Sequence, residues 1–216
     1  MRHGQAAAPG RRERAKADKR ARILAAARAL FEERGFERTS MSEVARAADV
    51  AQGTVFQYAA TKAELLMMVA EALWGAHEQA NTAPSRSAPA AGETAAQIAV
   101  LISPFVAAMC RWPEPTTWVA REILFGADMP HRQRVLSRVE GLEEQIAARL
   151  RDHRAGAPGA AAATGARLIV TGVLAELNRS RQGRIDGENV DVVLRRLIDL
   201  VVAGAGAAEM ELRSNV

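Results

Sequence analysis

The chain has 216 residues, which is long enough to bury a real hydrophobic core, and its single cysteine excludes an internal disulfide. Hydrophobic residues make up 49% of it but aromatic ones only 4%, and this alanine-rich composition favours helices over sheets. The net charge is +4. No apolar stretch reaches the length of a membrane span, and the charged N-terminus lacks the apolar segment of a signal peptide. We therefore expect a cytoplasmic protein without a membrane partner.

The N-terminal end of the chain concentrates positive charge. Residues 1–22 contain eight arginines and lysines against Glu13 and Asp18. Residues 1–15 are rich in Gly, Pro, Ala and Arg, which predicts a disordered basic arm. Such an arm is either a solvated tail or a contact for a polyanion, with nucleic acid favoured over a membrane surface.

Helical periodicity begins at Asp18. Apolar residues recur from there at spacings of three and four, and Gly35 is placed to end this first helix, with Phe36 folding back onto it. Ser40 followed by Glu43 is a capping-box pattern, which predicts a short second helix that starts at residue 41 and ends near residue 49.

Further helices follow, separated by Pro- and Gly-rich breaks. A short third helix is predicted over 52–58, and a fourth begins after Thr61, which has Glu64 at the box position. Residues 81–93 are rich in Pro, Ser and Ala and predict a loop. Later helices are predicted at 93–111, 115–126, 131–153, 160–180 and 188–204. The chain is therefore predicted to be all-α.

Residues 40–59 match a helix-turn-helix unit, in which two short helices are joined by a tight turn. Ala45 must be small because the helices cross there, and Asp49 occupies the turn position that requires a left-handed backbone. The apolar positions that fill the shared core are Val44, Ala48, Val50 and Val55. The residues left on the open face are Gln52, Gly53, Thr54, Gln57 and Tyr58.

This polar face suits a helix that enters the major groove of DNA. Glutamine can make bidentate hydrogen bonds to adenine, hydroxyl groups can reach phosphates, and a glycine lets the backbone approach closely. Lys62 and the amides at the start of the fourth helix are placed for another phosphate. An ordinary pair of helices with a polar outer face is the alternative interpretation, and the basic N-terminal segment argues against it.

The stretch "ARILAAARALFEERGFERTSMSEVARAADVAQGTVFQYAATKAELL" resembles the N-terminal domain of the TetR family of transcriptional regulators. The resemblance covers about 50 residues without a gap, and it implies a DNA-binding domain over 16–64 followed by an effector-binding and dimerisation domain over 65–216. Carried over residue by residue, it implies phosphate contacts by Ser40, Ser42, Thr54, Tyr58 and Lys62. It implies base-edge contacts by Gln52, Gly53 and Gln57.

Three residues depart from the family pattern. Asp49 stands in the turn where glycine is usual, and Ala51 precedes the recognition helix where serine or threonine is usual, so that helix lacks a side-chain cap at a cost of about 1 kcal/mol. Phe56 replaces a phosphate-contacting tyrosine, which leaves at most an apolar contact. Ala59 and Ala60 replace larger residues, which predicts looser packing against helix four.

The last two long helices are predicted to pair with those of a second copy. Small residues over 160–177 allow close helix approach, and an apolar stripe marks the last helix: Val190, Val193, Leu194, Leu197 and Val201. The stripe could instead serve only the core of one protomer. The resemblance and the two-fold logic of paired half-sites favour a homodimer on an operator.

A small-molecule effector site is predicted on helices four to six, where aromatic and methionine side chains gather. Its candidate residues are Trp74, His77, Phe105, Met109, Trp112, Trp118, Arg121 and Phe125. Each of them could also be core filler. The sequence implies no cofactor and no metal.

Two other classes of function compete. An enzyme would need a catalytic motif, and none is present; His131 is predicted to lie on the surface and Cys110 to be a small buried hydrophobe. A helical interaction module that has lost DNA binding is the second alternative, and the departures at Asp49, Ala51 and Phe56 support it. We expect a non-enzymatic, ligand-responsive repressor.

Overall fold

The computed structural model describes residues 10–81, 94–153, 159–184 and 189–214. Within these ranges the chain forms nine helices and no strand, so the all-α prediction is confirmed. The helices are α1 (Arg11–Arg34), α2 (Met41–Ala47), α3 (Gln52–Tyr58), α4 (Lys62–Asn81), α5 (Thr94–Arg111), α6 (Pro113–Phe125), α7 (Pro130–His153), α8 (Gly159–Arg181) and α9 (Val190–Ser214). Most of the loop predicted at 81–93 lies outside the described residues.

The start of α1 differs from the prediction. The helix begins at Arg11 rather than Asp18, so residues 11–15 are not a disordered arm, while residues 1–9 lie outside the described part of the chain. Arginine, lysine, alanine and glutamate are all strong helix formers, and nothing after Gly10 interrupts them. The Tyr58 hydroxyl also donates a hydrogen bond to the Lys16 carbonyl at 3.0 Å, which fixes this turn against α3.

Other helix ends follow their local chemistry. Gly35 ends α1 with a φ of 83°, and its N–H donates to the Phe31 carbonyl, as predicted. Helix α6 begins at Pro113, earlier than the predicted residue 115, because proline is suited to the first helical position. Helix α9 runs on to Ser214, well beyond the predicted end at residue 204.

Helix α4 joins the two ends of the molecule. It packs against α1 on one side and against α5, α6 and α7 on the other, and Leu65, Leu66, Met67 and Met68 on it are almost completely buried. Because adjacent methionines on a helix point in different directions, their joint burial means that α4 is surrounded on several sides. Any displacement of α4 therefore moves groups in both halves of the chain.

Helices α7, α8 and α9 pack consecutively, and α8 lies at the centre. A side chain at Gly172 would bring its Cβ to within 2.6 Å of Leu197 Cδ2, so the glycine allows α9 to approach closely. Among the described residues α8 is the one helix long and apolar enough to cross a membrane by length and composition. Eight of its residues are buried, as in the core helix of a globular protein.

The outer face of α8 and α9 carries exposed apolar side chains. Leu168, Val192 and Leu200 are between 52% and 66% exposed. The last two line an open groove along α9, together with Ala203 and the charged residues Asp191, Arg195, Arg196 and Asp199. The stripe predicted to serve core and interface together is mostly half-buried in the protomer: Val190, Val193, Leu197 and Val201 are half-buried and Leu194 is buried. The neighbouring exposed positions on α8 and α9 add to the apolar surface available to a second copy.

Candidate functional site

The α2–α3 unit is closed at its start by the predicted capping box. The Glu43 N–H donates to Ser40 Oγ at 3.3 Å, and the Ser40 N–H donates to Glu43 Oε2 at 2.9 Å. The hydrogen bonds from the Ser40 side chain and backbone hold the pKa of Glu43 below its ordinary value. Ser42 Oγ lies 3.0 Å from Ser40 Oγ, so both predicted phosphate-contacting hydroxyls sit together at the start of α2.

The turn between α2 and α3 holds Asp49 in the left-handed region, with a φ of 51°, as its position predicts. Arg22 on α1 stabilises this turn, because its Nη1 donates to the Ala48 carbonyl at 3.0 Å and to the Asp49 carbonyl at 3.1 Å. The same guanidinium lies 3.5 Å from the Asp49 carboxylate. Sequence reasoning did not assign this role to Arg22, which is 27 residues away from the turn.

Helix α3 buries Val55 and turns the predicted polar face outward. Gln52, Gly53 and Gln57 are exposed and Thr54 is half-buried. A Cβ placed on Gly53 would meet nothing within 4 Å, so the packing of the protomer does not require a glycine there. Without a side chain at Gly53, a partner can approach the backbone of α3 closely.

The departures from the family pattern have visible consequences on α3. Ala51 precedes the helix in an extended conformation and supplies no side-chain cap. Phe56 is 44% exposed, so an apolar ring stands on the outer surface of the recognition helix. Ala59 is buried at the end of α3, whereas Ala60 is exposed.

Two predicted phosphate ligands already have protein partners. The half-buried Tyr58 side chain donates to the Lys16 carbonyl. Lys62 Nζ donates to the Glu37 carbonyl at 3.0 Å and lies 4.5 Å from the centre of the Phe36 ring. An ammonium group has three donors, so Lys62 keeps N–H groups for a further acceptor.

The first turns of α1 extend this surface with a basic face. Arg12, Lys16 and Lys19 are spaced by four and three residues and are exposed. Continued along the helix, the same spacing reaches Ile23 and Ala27, which are buried against the rest of the domain. The helix face that packs inward farther along is therefore cationic where it passes the end of α3.

The residues predicted for the effector site do not form a single cluster. Trp74 and Phe105 pack with their ring centres 4.9 Å apart and their planes tilted by 44°, and Met109 is buried on α5. Phe125 is 82% exposed at the end of α6. The His77 side chain lies outside the described part of the structure.

The other predicted effector residues lie toward α1 and the segment after it. Trp112 packs against Phe31, with ring centres 6.4 Å apart, and Trp118 packs against Phe36 at 5.0 Å, both with tilted rings. Arg121 lies over the Trp118 ring at 5.3 Å. Aromatic contacts therefore join the start of α6 to the end of α1 and the residue that follows it, Phe36.

His131 and Cys110 are not where the sequence suggested. His131 is only 7% exposed, so the predicted surface position is wrong; its partners are Glu71, Glu64 and the Tyr58 carbonyl, which lie far from it in sequence. Cys110 is exposed rather than buried, and partial desolvation together with the charge of Asp191 raises the pKa of its thiol. Among the described residues no group of three potential metal ligands occurs.

Residues 23–68 match the family model described as "Bacterial regulatory proteins, tetR family". This segment is similar to the N-terminal domain of the TetR family. The match covers α1 from Ile23 through the first turns of α4, and the predicted resemblance is confirmed. No curated protein sequence matches the chain.

Solved structures of TetR regulators share the whole fold. A TetR transcriptional regulator from Rhodococcus sp. RHA1 superposes with a TM-score of 0.66 at 21% identity, over 87% of this chain and 97% of that one. FadR from Thermus thermophilus, a TetR-family transcriptional repressor in complex with lauroyl-CoA, gives 0.62 at 22% identity, over 85% and 93%. BioQ with its double-stranded DNA operator gives 0.62 at 21% identity, over 85% and 98%. The TetR-like architecture therefore extends beyond the matched domain.

Proposed function

We propose that this chain is a homodimeric transcriptional regulator that binds operator DNA and is released by a small molecule. The observation that carries the proposal is the exposed polar face of α3 on a TetR-type helix-turn-helix. The proposal includes a DNA-binding domain that ends near residue 64, an effector and dimerisation domain beyond it, a cytoplasmic location and no catalytic role.

The proposed DNA contacts divide into two kinds. Gln52, Gly53 and Gln57 read base edges, because they are exposed on the helix that would lie in the major groove. The phosphate contacts are Ser40, Ser42, Thr54, Tyr58 and Lys62. They lie at the starts of α2 and α4, in the first turn of α3 and at its end, where phosphate contacts would fix the register of the reading face.

The proposed effector binds among α4, α5 and α6 and has a large apolar part. Trp74 and Phe105 are half-buried and pack against each other, which provides an aromatic wall. His77 and Met109 are the further proposed contacts beside them. The other candidates from the sequence do not pack on this pair: Trp112 and Trp118 contact Phe31 and Phe36, Arg121 lies over Trp118, and Phe125 is exposed. The lauroyl-CoA bound by the FadR structure is a ligand with such an apolar part, which supports this choice.

The proposed mechanism is linkage between the two sites. A dimer joined through α8 and α9 places two recognition helices at a fixed separation, which must match the spacing of the half-sites. An effector that binds better at another separation lowers DNA affinity by its differential binding energy, typically about 1 to 3 kcal/mol. Helix α4 carries the change because it packs on elements of both domains.

The test is selection of bound duplexes from a random DNA pool by the purified protein, followed by sequencing. We expect a two-fold symmetric site to be enriched. The Gln57→Ala variant should relax the preference at one position of each half-site, at a cost of about 1 to 3 kcal/mol there. The Lys62→Ala variant should weaken all sequences alike and lower the salt dependence.

Two outcomes would contradict the proposal. No enrichment even at low salt would favour a helical interaction module, with Ala51 and Phe56 as the reason for lost DNA binding. Binding that is unchanged in both the Gln57→Ala and the Lys62→Ala variants would mean that the DNA-binding face is misassigned.

A further inference from the structure

His131 lies where three helices meet. It is the second residue of α7, and its side chain is buried. Its Nδ1 is 2.7 Å from Glu71 Oε2 on α4, and its Nε2 is 3.1 Å from the carbonyl oxygen of Tyr58, the last residue of α3. Its backbone N–H donates to Glu64 Oε1 at 2.7 Å. One residue of α7 thus contacts both α4 and the recognition helix.

The contact with Tyr58 satisfies a group that α3 cannot satisfy itself. The last carbonyls of any helix lack partners within the helix. Helix α3 has only seven residues, and this hydrogen bond holds its end together with the buried Ala59 and the bond from the Tyr58 hydroxyl to Lys16. The His131 ring therefore acts as an external cap that is supplied by another part of the chain.

The two ring nitrogens of His131 have different surroundings. Nδ1 lies between Glu71 Oε2 at 2.7 Å, which can only accept, and Arg134 Nη2 at 2.6 Å, which can only donate. Arg134 also binds the same carboxylate, with its Nε 3.0 Å from Glu71 Oε2. The Tyr58 carbonyl can only accept, so the hydrogen bond to it needs a hydrogen on Nε2 whichever partner Nδ1 serves.

The acidic groups around the ring lie on α4. Burial raises the pKa of Glu71, but the hydrogen bonds from His131 and Arg134 outweigh it, and the pKa is lowered. Glu64 is 3% exposed, and its second oxygen, Oε2, is buried without a hydrogen-bond partner among the described residues. Glu64 is therefore held against the start of α7 by a single backbone hydrogen bond.

We propose that His131 is a positioning residue that transmits movements of α4 and α7 to the recognition helix through the Tyr58 carbonyl. The inference rests on the proposed function and names the residue through which the two proposed sites are connected. A displacement of α7 relative to α3 must break or stretch the contact between His131 Nε2 and Tyr58, and the end of α3 then loses its external cap. DNA affinity and effector binding become coupled at this residue.

Two isosteric variants separate the two ring contacts. Glutamine at this position keeps an N–H donor near the place of Nε2, toward Tyr58. Asparagine keeps one near the place of Nδ1, toward Glu71, and leaves the Tyr58 carbonyl without a partner. The variants are His131→Gln and His131→Asn, and Gln133→Asn on the exposed side of the same helical turn is the matched control.

The first measurement is amide hydrogen exchange of the peptide that covers residues 52–58 in the full-length protein without DNA. One hydrogen bond contributes about 0.5 to 1.5 kcal/mol, so its loss should speed exchange up to about tenfold. We expect this in His131→Asn, with α8 unchanged, while His131→Gln and Gln133→Asn stay within about twofold of the wild type. Equal effects in the Asn and Gln variants, or none in either, would overturn the inference.

The second measurement is the ratio of affinities for the enriched duplex and a scrambled duplex. It should fall in His131→Asn and be retained in His131→Gln. If the wild-type protein enriches no duplex, the proposed function fails, and the exchange comparison still decides the role of His131. If His131→Asn does not fold, Glu71→Ala provides the second test. This variant frees the His131 ring from α4, so it should also speed amide exchange in α3. An unchanged exchange rate in Glu71→Ala would overturn the inference.

Discussion

At the scale of single residues, Glu71 is the carboxylate that His131 and Arg134 share where α3, α4 and α7 meet. Its carboxylate accepts hydrogen bonds from His131 and Arg134, and its side chain is 15% exposed. The ionised form is therefore favoured in the folded protein, where the pKa lies below its ordinary value of 4.5. A group of this kind stabilises the fold above the unfolded pKa and stops doing so as the pH falls through the folded pKa.

We predict that Glu71→Gln lowers the free energy of unfolding by about 1 to 3 kcal/mol at pH 7, because hydrogen bonds to a charged group are removed. The difference from the wild type should shrink as the pH falls below 4.5 and then through the lower pKa of the folded protein, where the wild-type carboxylate takes up a proton. Urea unfolding followed by circular dichroism at pH 7 and at a series of pH values below 4.5 measures the difference. Glu140→Gln on the exposed side of α7 is the control and should change little. A pH-independent difference between Glu71→Gln and the wild type would contradict the prediction.

The residue scale also shows where sequence reasoning succeeded and failed. The left-handed backbone of Asp49 and the missing cap at Ala51 were predictable, because both depend on local geometry alone. The burial of His131 and the role of Arg22 were not, because their partners lie between 26 and 73 residues away. A single polar side chain that belongs to no sequence motif does not indicate which distant carbonyl group it will bind in the folded protein.

At the scale of elements, the ends of the helices were predicted best where a capping residue marks them. Helix α3 has the predicted bounds, and Thr61 caps α4 by accepting a hydrogen bond from the Glu64 N–H at 3.0 Å. The Glu64 side chain does not complete a capping box, because it binds the backbone of His131 instead. The early start of α1 was missed because a polar, basic segment has no apolar periodicity to reveal a helix.

The basic face of α1 leads to a prediction about salt dependence. Arg12, Lys16 and Lys19 pass the end of α3 close to Tyr58, so they should contact phosphates beside the recognition helix. Replacing all three with alanine should weaken binding to every duplex. It should also reduce the slope of log affinity against log salt by about 0.9 for each phosphate that the variant no longer neutralises. Fluorescence anisotropy titrations over a range of salt concentrations measure the slope.

The control for this prediction is Arg14→Ala. Arg14 is also exposed on α1, but helical geometry places it on the opposite face. It should change the slope far less than the triple substitution does. An unchanged slope in the triple variant would show that the basic face of α1 takes no part in DNA binding.

At the scale of the whole molecule, the exposed apolar face of α8 and α9 predicts the interface of the dimer. Leu200 is 66% exposed within one protomer, and we expect it to be buried against a second copy. Leu200→Glu should shift the protein from dimer to monomer and abolish cooperative binding to paired half-sites, because a buried unpaired charge is costly. Sedimentation velocity measures the change in mass.

The matched control for the interface is Phe125→Glu. Phe125 is an even more exposed apolar residue, at 82%, but it lies at the end of α6 rather than on α8 or α9. This variant should remain a dimer. A dimeric Leu200→Glu variant would mean that the two copies associate through another surface.

The proposed effector domain was predictable in its class but not in its arrangement. Helical periodicity and the breaks at Pro and Gly gave approximate bounds for α5 to α8. The gathering of aromatic residues suggested one pocket, whereas Trp112 and Trp118 pack against Phe31 and Phe36. Sequence spacing places such residues on a helix but does not decide which neighbouring helix they face, and that choice depends on the packing of the whole bundle.

This placement of tryptophan has a practical consequence. The chain has three tryptophans, and two of them, Trp112 and Trp118, pack against Phe31 and Phe36 of the proposed DNA-binding domain. The third, Trp74, packs against Phe105 between α4 and α5. Indole emission changes with the polarity and mobility of its surroundings, so the unlabelled protein carries its own optical reporter of movement between the two halves. Candidate effectors can therefore be screened by intrinsic fluorescence before any operator is known.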